Sequence, residues 1–177
     1  MKIAIASTGL GHVARGVEAW ALGLADELAD TARYPQVNVT LFAGDKVSRY
    51  QGDKVSRSQG GKVVVVRCLK RGDRITRMLA RMMPGFTWRW GLKNVYGWEQ
   101  FTFWLHLAPM LKKGEYDILH TQDAMLAYWC MTWRRRGWIA TKEILAHGTE
   151  EPGEFLARFD YLQHLAPYHA EALTAES

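Results

Sequence analysis

Residues 7 to 18, Ser-Thr-Gly-Leu-Gly-His-Val-Ala-Arg-Gly-Val-Glu, combine the residue types and spacing best suited to chemistry in this chain. They follow the apolar run Ile3-Ala4-Ile5-Ala6 and lead into the helical pattern Val17, Ala21, Leu24, Ala25, Leu28. A strand, a glycine loop and a helix start in that order form an anion-binding corner. Glycines let the backbone turn tightly and approach a ligand, and the helix start offers free N–H groups with a partial positive charge. The corner suits a phosphate, a nucleotide or a sugar. The bland alternative is a tight turn that holds nothing.

Two further chemical clusters sit where strands should end. Tyr116-Asp117-Ile118-Leu119-His120-Thr121-Gln122-Asp123 ends in His, Gln and Asp, and Ile144-Leu145-Ala146-His147-Gly148-Thr149 ends in His and Thr. Strands are expected at about 2–6, 37–42, 62–66, 116–120 and 142–147, with helical stretches between them. The run Val63-Val64-Val65-Val66 lacks polar alternation and predicts a strand buried on both faces. Such alternation of strands and helices predicts an α/β, Rossmann-like, doubly wound and mostly parallel sheet with helices on both faces. The 177 residues suit one domain of this kind. In it, ligands gather at the carboxyl ends of the strands, where all three clusters fall.

The net charge of +5 is unevenly spread. Residues 67–93 carry eight basic side chains and one acidic, so that segment holds +7 and the remainder −2. Ile75, Met78, Leu79, Met82 and Met83 mark one stripe of a helix, with Arg74, Arg77 and Arg81 on another face. Trp88 and Trp90 follow. A basic amphipathic helix with adjacent tryptophans suits an anionic membrane surface or a phosphorylated acceptor. Packing of the stripe on the sheet, with a solvated arginine face, is the plainer alternative. No nucleic-acid signature accompanies it.

Other features are structural. Ala124–Arg136 is apolar nearly all round and reads as a buried helix, with Arg134-Arg135-Arg136 complementing its C-terminal dipole and Gly137 following. Residues 152–173 read as helical. Gly44–Gln51 is repeated with one change at Gly52–Gln59, as expected of slippage in a tolerant loop. Cys68 and Cys130 give no disulfide framework or metal spacing, and the start lacks a signal-peptide plan, so a cytoplasmic protein is expected. No metal site is expected.

Gly9-Leu10-Gly11-His12-Val13-Ala14 fits the dinucleotide pattern G-x-G-x-x-A, with Asp45 as the ribose-holding acid, although it lies well beyond the usual offset. The longer stretch Gly11-His12-Val13-Ala14-Arg15-Gly16-Val17-Glu18 resembles the opening of the family 4 glycosyltransferases, retaining enzymes of the GT-B fold. The 116–123 and 144–150 stretches resemble that family's strand ends. The resemblance spans residues 1 to about 150. It implies that Gly9, Gly11, His12, Arg15, Gly16 and Glu18 line a donor and acceptor cleft. It implies that His120 and Asp123 are catalytic, and that Gln122, His147, Gly148 and Thr149 bind hydroxyls. Gln122 stands where many members have a second His, and it cannot titrate. The resemblance further implies a nucleotide-sugar donor, no cofactor, and a sugar or lipid-linked acceptor.

GT-B enzymes pair two Rossmann-like domains, and the donor sits mainly on the second. The chain reaches Ser177 without a second glycine loop or an E-x7-E arrangement in a suitable place. It is expected to be the N-terminal, acceptor-side half, completed by a C-terminal domain in cis or in trans, and peripheral at the inner membrane face. Two alternatives stay open: an NAD(P)-binding oxidoreductase domain, and a non-catalytic membrane-associating half that needs a partner chain.

Overall fold

A computed structural model describes residues 1–47, 62–85, 87, 91–148 and 151–165. The strands are β1 (Lys2–Ser7), β2 (Asn38–Ala43), β3 (Lys62–Val65), β4 (Ile118–Thr121), β5 (Lys142–His147) and β6 (Leu162–His164). The helices are α1 (Gly16–Leu28), α2 (Arg74–Met82), α3 (Val95–Gly114), α4 (Ala124–Arg135) and α5 (Gly153–Leu156). The six strands form one sheet in the order β3-β2-β1-β4-β5-β6, every pair parallel. This is the expected Rossmann-like α/β architecture.

Side-chain parity along β1 sorts the two faces. Ile3 and Ile5 pack with Val39, Leu41 and the α1 residues Ala21 and Ala25. Ala4 and Ala6 look the other way, onto Phe103, Trp104, Leu107 and Leu111 of α3 and Leu126 and Cys130 of α4. Small alanines on β1 let those large α3 side chains come close, and burial of each contributes about 1.5–3 kcal/mol. The side chain of Asn94 caps α3 by accepting from the Gly97 amide at 2.7 Å.

Several expectations are corrected. β3 is an edge strand, and Val63 and Val65 are 45% and 46% exposed. Its polar-free run is not buried on both faces, because α2 packs against α3 and leaves one face of β3 open. Residues 152–165 hold only the one-turn α5 and then β6, which pairs with β5 through Leu162, Gln163 and His164. The ladder next to β5 outweighs the local helical pattern. Helix α1 starts at Gly16, two residues later than the pattern predicts. Only Leu126, Ala127, Cys130 and Met131 of α4 are fully buried.

The three arginines after α4 divide. Arg134 makes two 2.9 Å bonds to the buried carboxylate of Glu143 and a third contact to Asp160, and Arg135 bonds Asp160 at 3.0 Å. Gly137 follows at φ 73°. The two cysteines are free, and burial pushes the Cys68 thiol up to about 12, so it is no ready nucleophile. Among the described residues, no helix is long and apolar enough to cross a membrane. Most of the duplicated octapeptide pair, residues 48–59, lies outside the described residues.

Candidate functional site

Strand order reverses between β1 and β4, and the loops leaving these two strands flank the crevice where ligands settle in such sheets. The glycine loop leaves β1 there. Gly11 has φ 98°, and a Cβ on it would fall 2.6 Å from the Asp45 carbonyl oxygen. No other residue fits that backbone. At Gly9 a Cβ would collide with Glu18 Oε1. Glycine therefore lets the buried Glu18 carboxylate lie directly against the loop.

Beneath the loop lies a knot of charged groups drawn from four segments. Asp123, at the start of α4, accepts from the Thr8 amide at 2.7 Å and from the Tyr96 hydroxyl of α3. Glu99 of α3 is fully buried, with Oε1 2.6 Å from His12 Nε2 and Oε2 accepting from Arg71 Nε at 2.5 Å. Arg15 donates to Glu18 at 2.7 Å. Tyr96 carries the Arg71 guanidinium 4.6 Å from its ring centroid, and that of Arg15 at 5.8 Å. Such cation–π contacts strengthen away from water.

The electrostatics follow from burial. Desolvation pushes the Asp123 carboxyl above its usual range, opposed by the bonds from Tyr96 and Thr8. It pushes the Tyr96 hydroxyl up as well, with Asp123 adding to the rise. Glu18 raises Arg15. Three buried atoms of the knot have no hydrogen-bond partner among the described residues: Glu18 Oε2, Arg71 Nη2 and His12 Nδ1. Each unpaired buried polar atom costs about 1–3 kcal/mol.

Above the knot the corner stays open. Gly11, Ala14, Arg15 and Gly16 are exposed, and a Cβ at Gly16 would meet nothing within 4 Å. The α1 N-cap residue, Arg15, makes no side-chain cap bond. The first amides of a helix lack intrahelical partners, so this end presents donors outward.

The geometry departs from a dinucleotide fingerprint. There the glycine turn runs straight into the helix and its third small residue packs helix on strand. Here α1 begins five residues after Gly11, and Ala14 is exposed outside the helix. Asp45 is held by Lys70, which pulls its carboxyl below the usual range, and it also accepts from the Lys46 amide. That carboxylate is already engaged where a ribose would need it.

The other named residues are placed as follows. Asp123 is 1% exposed with both oxygens engaged, so it holds the loop rather than reaching a ligand. His120 stacks on Trp20 at 4.9 Å, with Nε2 2.7 Å from Gln163 Oε1 and its buried Nδ1 without a partner among the described residues. Gln122 is half-buried, and its buried Nε2 has none either. His147 ends β5, with its ring 5.7 Å from that of His164 and Nε2 3.5 Å from Glu151. Gly148 is exposed. Thr149, Trp88 and Trp90 lie outside the described residues. Among the described residues, no group of His, Cys, Asp and Glu could hold a metal ion.

Burial pushes the His120 imidazole below its usual range, with the Gln163 bond opposing. The unfolded chain takes that proton near pH 6.5, roughly, and the folded chain only at lower pH. The stability contributed by neutral His120 is complete above the unfolded value and is lost as pH falls through the folded value. His120→Gln removes this proton uptake. The drop in urea midpoint between about pH 7.5 and about pH 5 is expected to be smaller in the variant than in the parent. Equal drops would contradict the desolvated histidine.

Glu99, Arg71 and Tyr96 were not singled out by any motif. Glu99 did carry a signal: it is the only Asp, Glu, Lys or Arg between Asn94 and Lys112. A lone charge in an apolar helix calls for a buried partner.

No family model matches the chain, and no curated protein is significantly similar to it. Among solved structures it is similar to the apo form of a lipopolysaccharide outer core galactosyltransferase, WaaB, at TM-score 0.53 and 12% identity; the match covers 100% of this chain and 43% of that one. A partial-consensus L-threonine 3-dehydrogenase and a GalE-like L-threonine dehydrogenase from Cupriavidus necator follow at TM-scores of 0.37 and 0.36. Both are 12% identical, with 86% and 89% of this chain covered and 56% and 60% of theirs. The chain thus spans less than half the length of the galactosyltransferase whose fold it shares.

Proposed function

We propose that this chain is the acceptor-side half of a glycosyltransferase that moves a sugar from a nucleotide-sugar to an acceptor hydroxyl, with retention at the anomeric carbon. The observation that carries the reading is the exposed, uncapped helix start at Gly16 beside a glycine loop, at the point where strand order reverses. A diphosphate suits the outward helix amides, and a sugar hydroxyl can donate to or accept from the exposed loop backbone beside them, so one nucleotide-sugar fits the corner. His120 and Gln122, at the end of β4, and His147 and Gly148, at the end of β5, would contact hydroxyls along the same sheet edge. A second Rossmann-like domain, in cis or in trans, would close the cleft and hold most of the donor. The GT-B architecture and the family 4 assignment belong to this proposal, as does the cytoplasmic location.

The competing dinucleotide reading is separated by titration. Tryptophan emission, to which all eight tryptophans contribute, includes that of Trp20 stacked on His120. At least one sugar nucleotide from a panel with uridine, guanosine, adenosine, thymidine and cytidine bases is expected to change that emission saturably in the millimolar range. NAD+ and NADP+ are expected to leave it unchanged. Tight saturable binding of either dinucleotide, with none by the panel, would overturn the proposal.

A further inference from the structure

The amino ends of β4 and β5, the last turn of α3 and the turn from α4 into β5 frame a groove of about 1050 Å³. It lies at the pole of the sheet opposite the glycine loop, about 20 Å away along the six residues of β1. Ligands of such sheets gather at the carboxyl ends of the strands, so the topology predicts no site here.

One wall is an aromatic platform built by the end of α4. The Gly137 amide donates to the Arg134 carbonyl at 2.9 Å and the Trp138 amide to the Trp133 carbonyl at 3.0 Å, with Gly137 in the left-handed region. That turn sets the Trp138 ring edge-on to Trp133, with centroids 4.7 Å apart, and Trp133 meets the buried Trp104 at 5.2 Å. An apolar contact between these two positions accompanies such turns, and a small side chain would serve it. Trp138 instead leaves 51% of its surface in solvent at the edge of the groove. The exposed Ile75, Met78 and Met82 of α2 form an outward helix ridge, whereas Trp138 borders a concavity.

The facing wall is polar. Lys112 lies in the last turn of α3 and Glu115 follows that helix, while Asp117 and Lys142 stand at the amino ends of β4 and β5, all four exposed. The Lys2 amide donates to Asp117 at 2.7 Å and fixes its carboxylate. Tyr116 is locked between them, its hydroxyl donating to Thr40 at 3.0 Å and its ring edge-on to Phe42.

We propose that this groove binds a neutral saccharide, with one sugar ring stacked on Trp138. Two ammonium groups face two carboxylates, so their charges cancel and favour neither an anion nor a cation. A chain rich in hydroxyls can donate to Glu115 and Asp117 and accept from Lys112 and Lys142 in one pose. The C–H face of a sugar ring is apolar and covers an indole well. A tryptophan braced from beneath loses little freedom when covered, which favours binding. Small-ligand pockets run to about 300–1,000 Å³, so this groove has room for more than one linked ring. It is remote from the crevice, and its ligand does not depend on the transferase reading.

The test is titration of the isotope-labelled full chain with maltotriose, cellotriose, chitotriose, mannotriose and xylotriose, followed at the indole and backbone amide signals. At least one trisaccharide is expected to shift the Trp138 indole and the amides around it saturably, in the millimolar range. Added salt should leave the affinity unchanged, because the ligand carries no charge. Trp138→Ala is expected to weaken binding at least about tenfold, with part of it kept by Trp138→Tyr. Lys112→Ala/Glu115→Ala changes two exposed side chains, should keep the parent's melting temperature, and is expected to weaken binding on the order of tenfold. Gly16→Glu, at the far pole, should leave these shifts as they are. No shift of the Trp138 indole with any trisaccharide, binding unchanged in the Lys112/Glu115 variant, or equal shifts with inorganic phosphate would each overturn the proposal. Shifts at Trp138 with no response to any sugar nucleotide would leave the groove standing and remove the transferase reading. The reverse would remove the groove alone.

Discussion

Glu99→Ala is expected to cost about 3 kcal/mol of folding stability, the lower end of the range for breaking a buried ion pair. The carboxylate is fully buried and serves two partners at once, His12 at 2.6 Å and Arg71 at 2.5 Å. Its removal takes away the carboxylate that Arg71 pairs with and leaves its guanidinium against the Tyr96 ring. The side chains of Arg71 and His12 are 24% and 12% exposed, so water can partly reach them, and this keeps the cost from the upper end of the range. For a chain of this size the melting temperature should fall by about 6–12 °C. Glu99→Gln keeps the shape and one accepting oxygen, and should cost about half as much. A fall of less than about 2 °C for the alanine variant would show that the knot does not anchor the loop.

The second large effect runs the opposite way on stability. Gly16→Glu places a carboxylate at the first position of α1, where nothing lies within 4 Å of the new Cβ. An acid in the first helical turn contributes about 0.3–1 kcal/mol, and replacing glycine narrows the unfolded ensemble by about 0.4–1 kcal/mol. Repulsion from Glu18, two residues on, offsets part of that gain. Stability should therefore hold or rise by up to about 1 kcal/mol. Affinity for a nucleotide-sugar should drop at least about tenfold, because the new charge occupies the space its phosphates need. Denaturant melts and fluorescence titrations on the same variant read the two effects separately. Unchanged affinity would mean that the ligand does not approach Gly16.

The central sheet was legible because its strands advertise themselves. Ile3–Ala6, Val39–Phe42 and Ile118–His120 are short apolar runs that end in glycine or polar residues, and the structure places each within a residue or two of its expected bounds. Residues 162–164 were not legible as a strand, since three residues have no period to read and their pairing depends on β5. For α2 the periodicity gave the right helix, but periodicity reports two faces without telling which one the core covers. The knot was half legible. The glycine loop and the end of β4 announced themselves by spacing, whereas Arg71, Tyr96 and Glu99 reach the loop from distant parts of the chain. Asp123 shows the limit of a motif. A carboxylate at a strand end reads as chemistry, yet its two oxygens are taken by Thr8 and Tyr96.

On the proposed reading, the open corner from Gly11 to Glu18 is one wall of a sugar-nucleotide cleft. Amide chemical-shift mapping of the isotope-labelled chain during titration with the nucleotide-sugar panel tests it most directly. The largest shifts are expected on the amides of Gly11 to Glu18, with smaller ones at His120 and Gln122, and Gly16→Glu is expected to abolish them. Shifts confined to another surface, or the same amides moving only with NAD+, would contradict it.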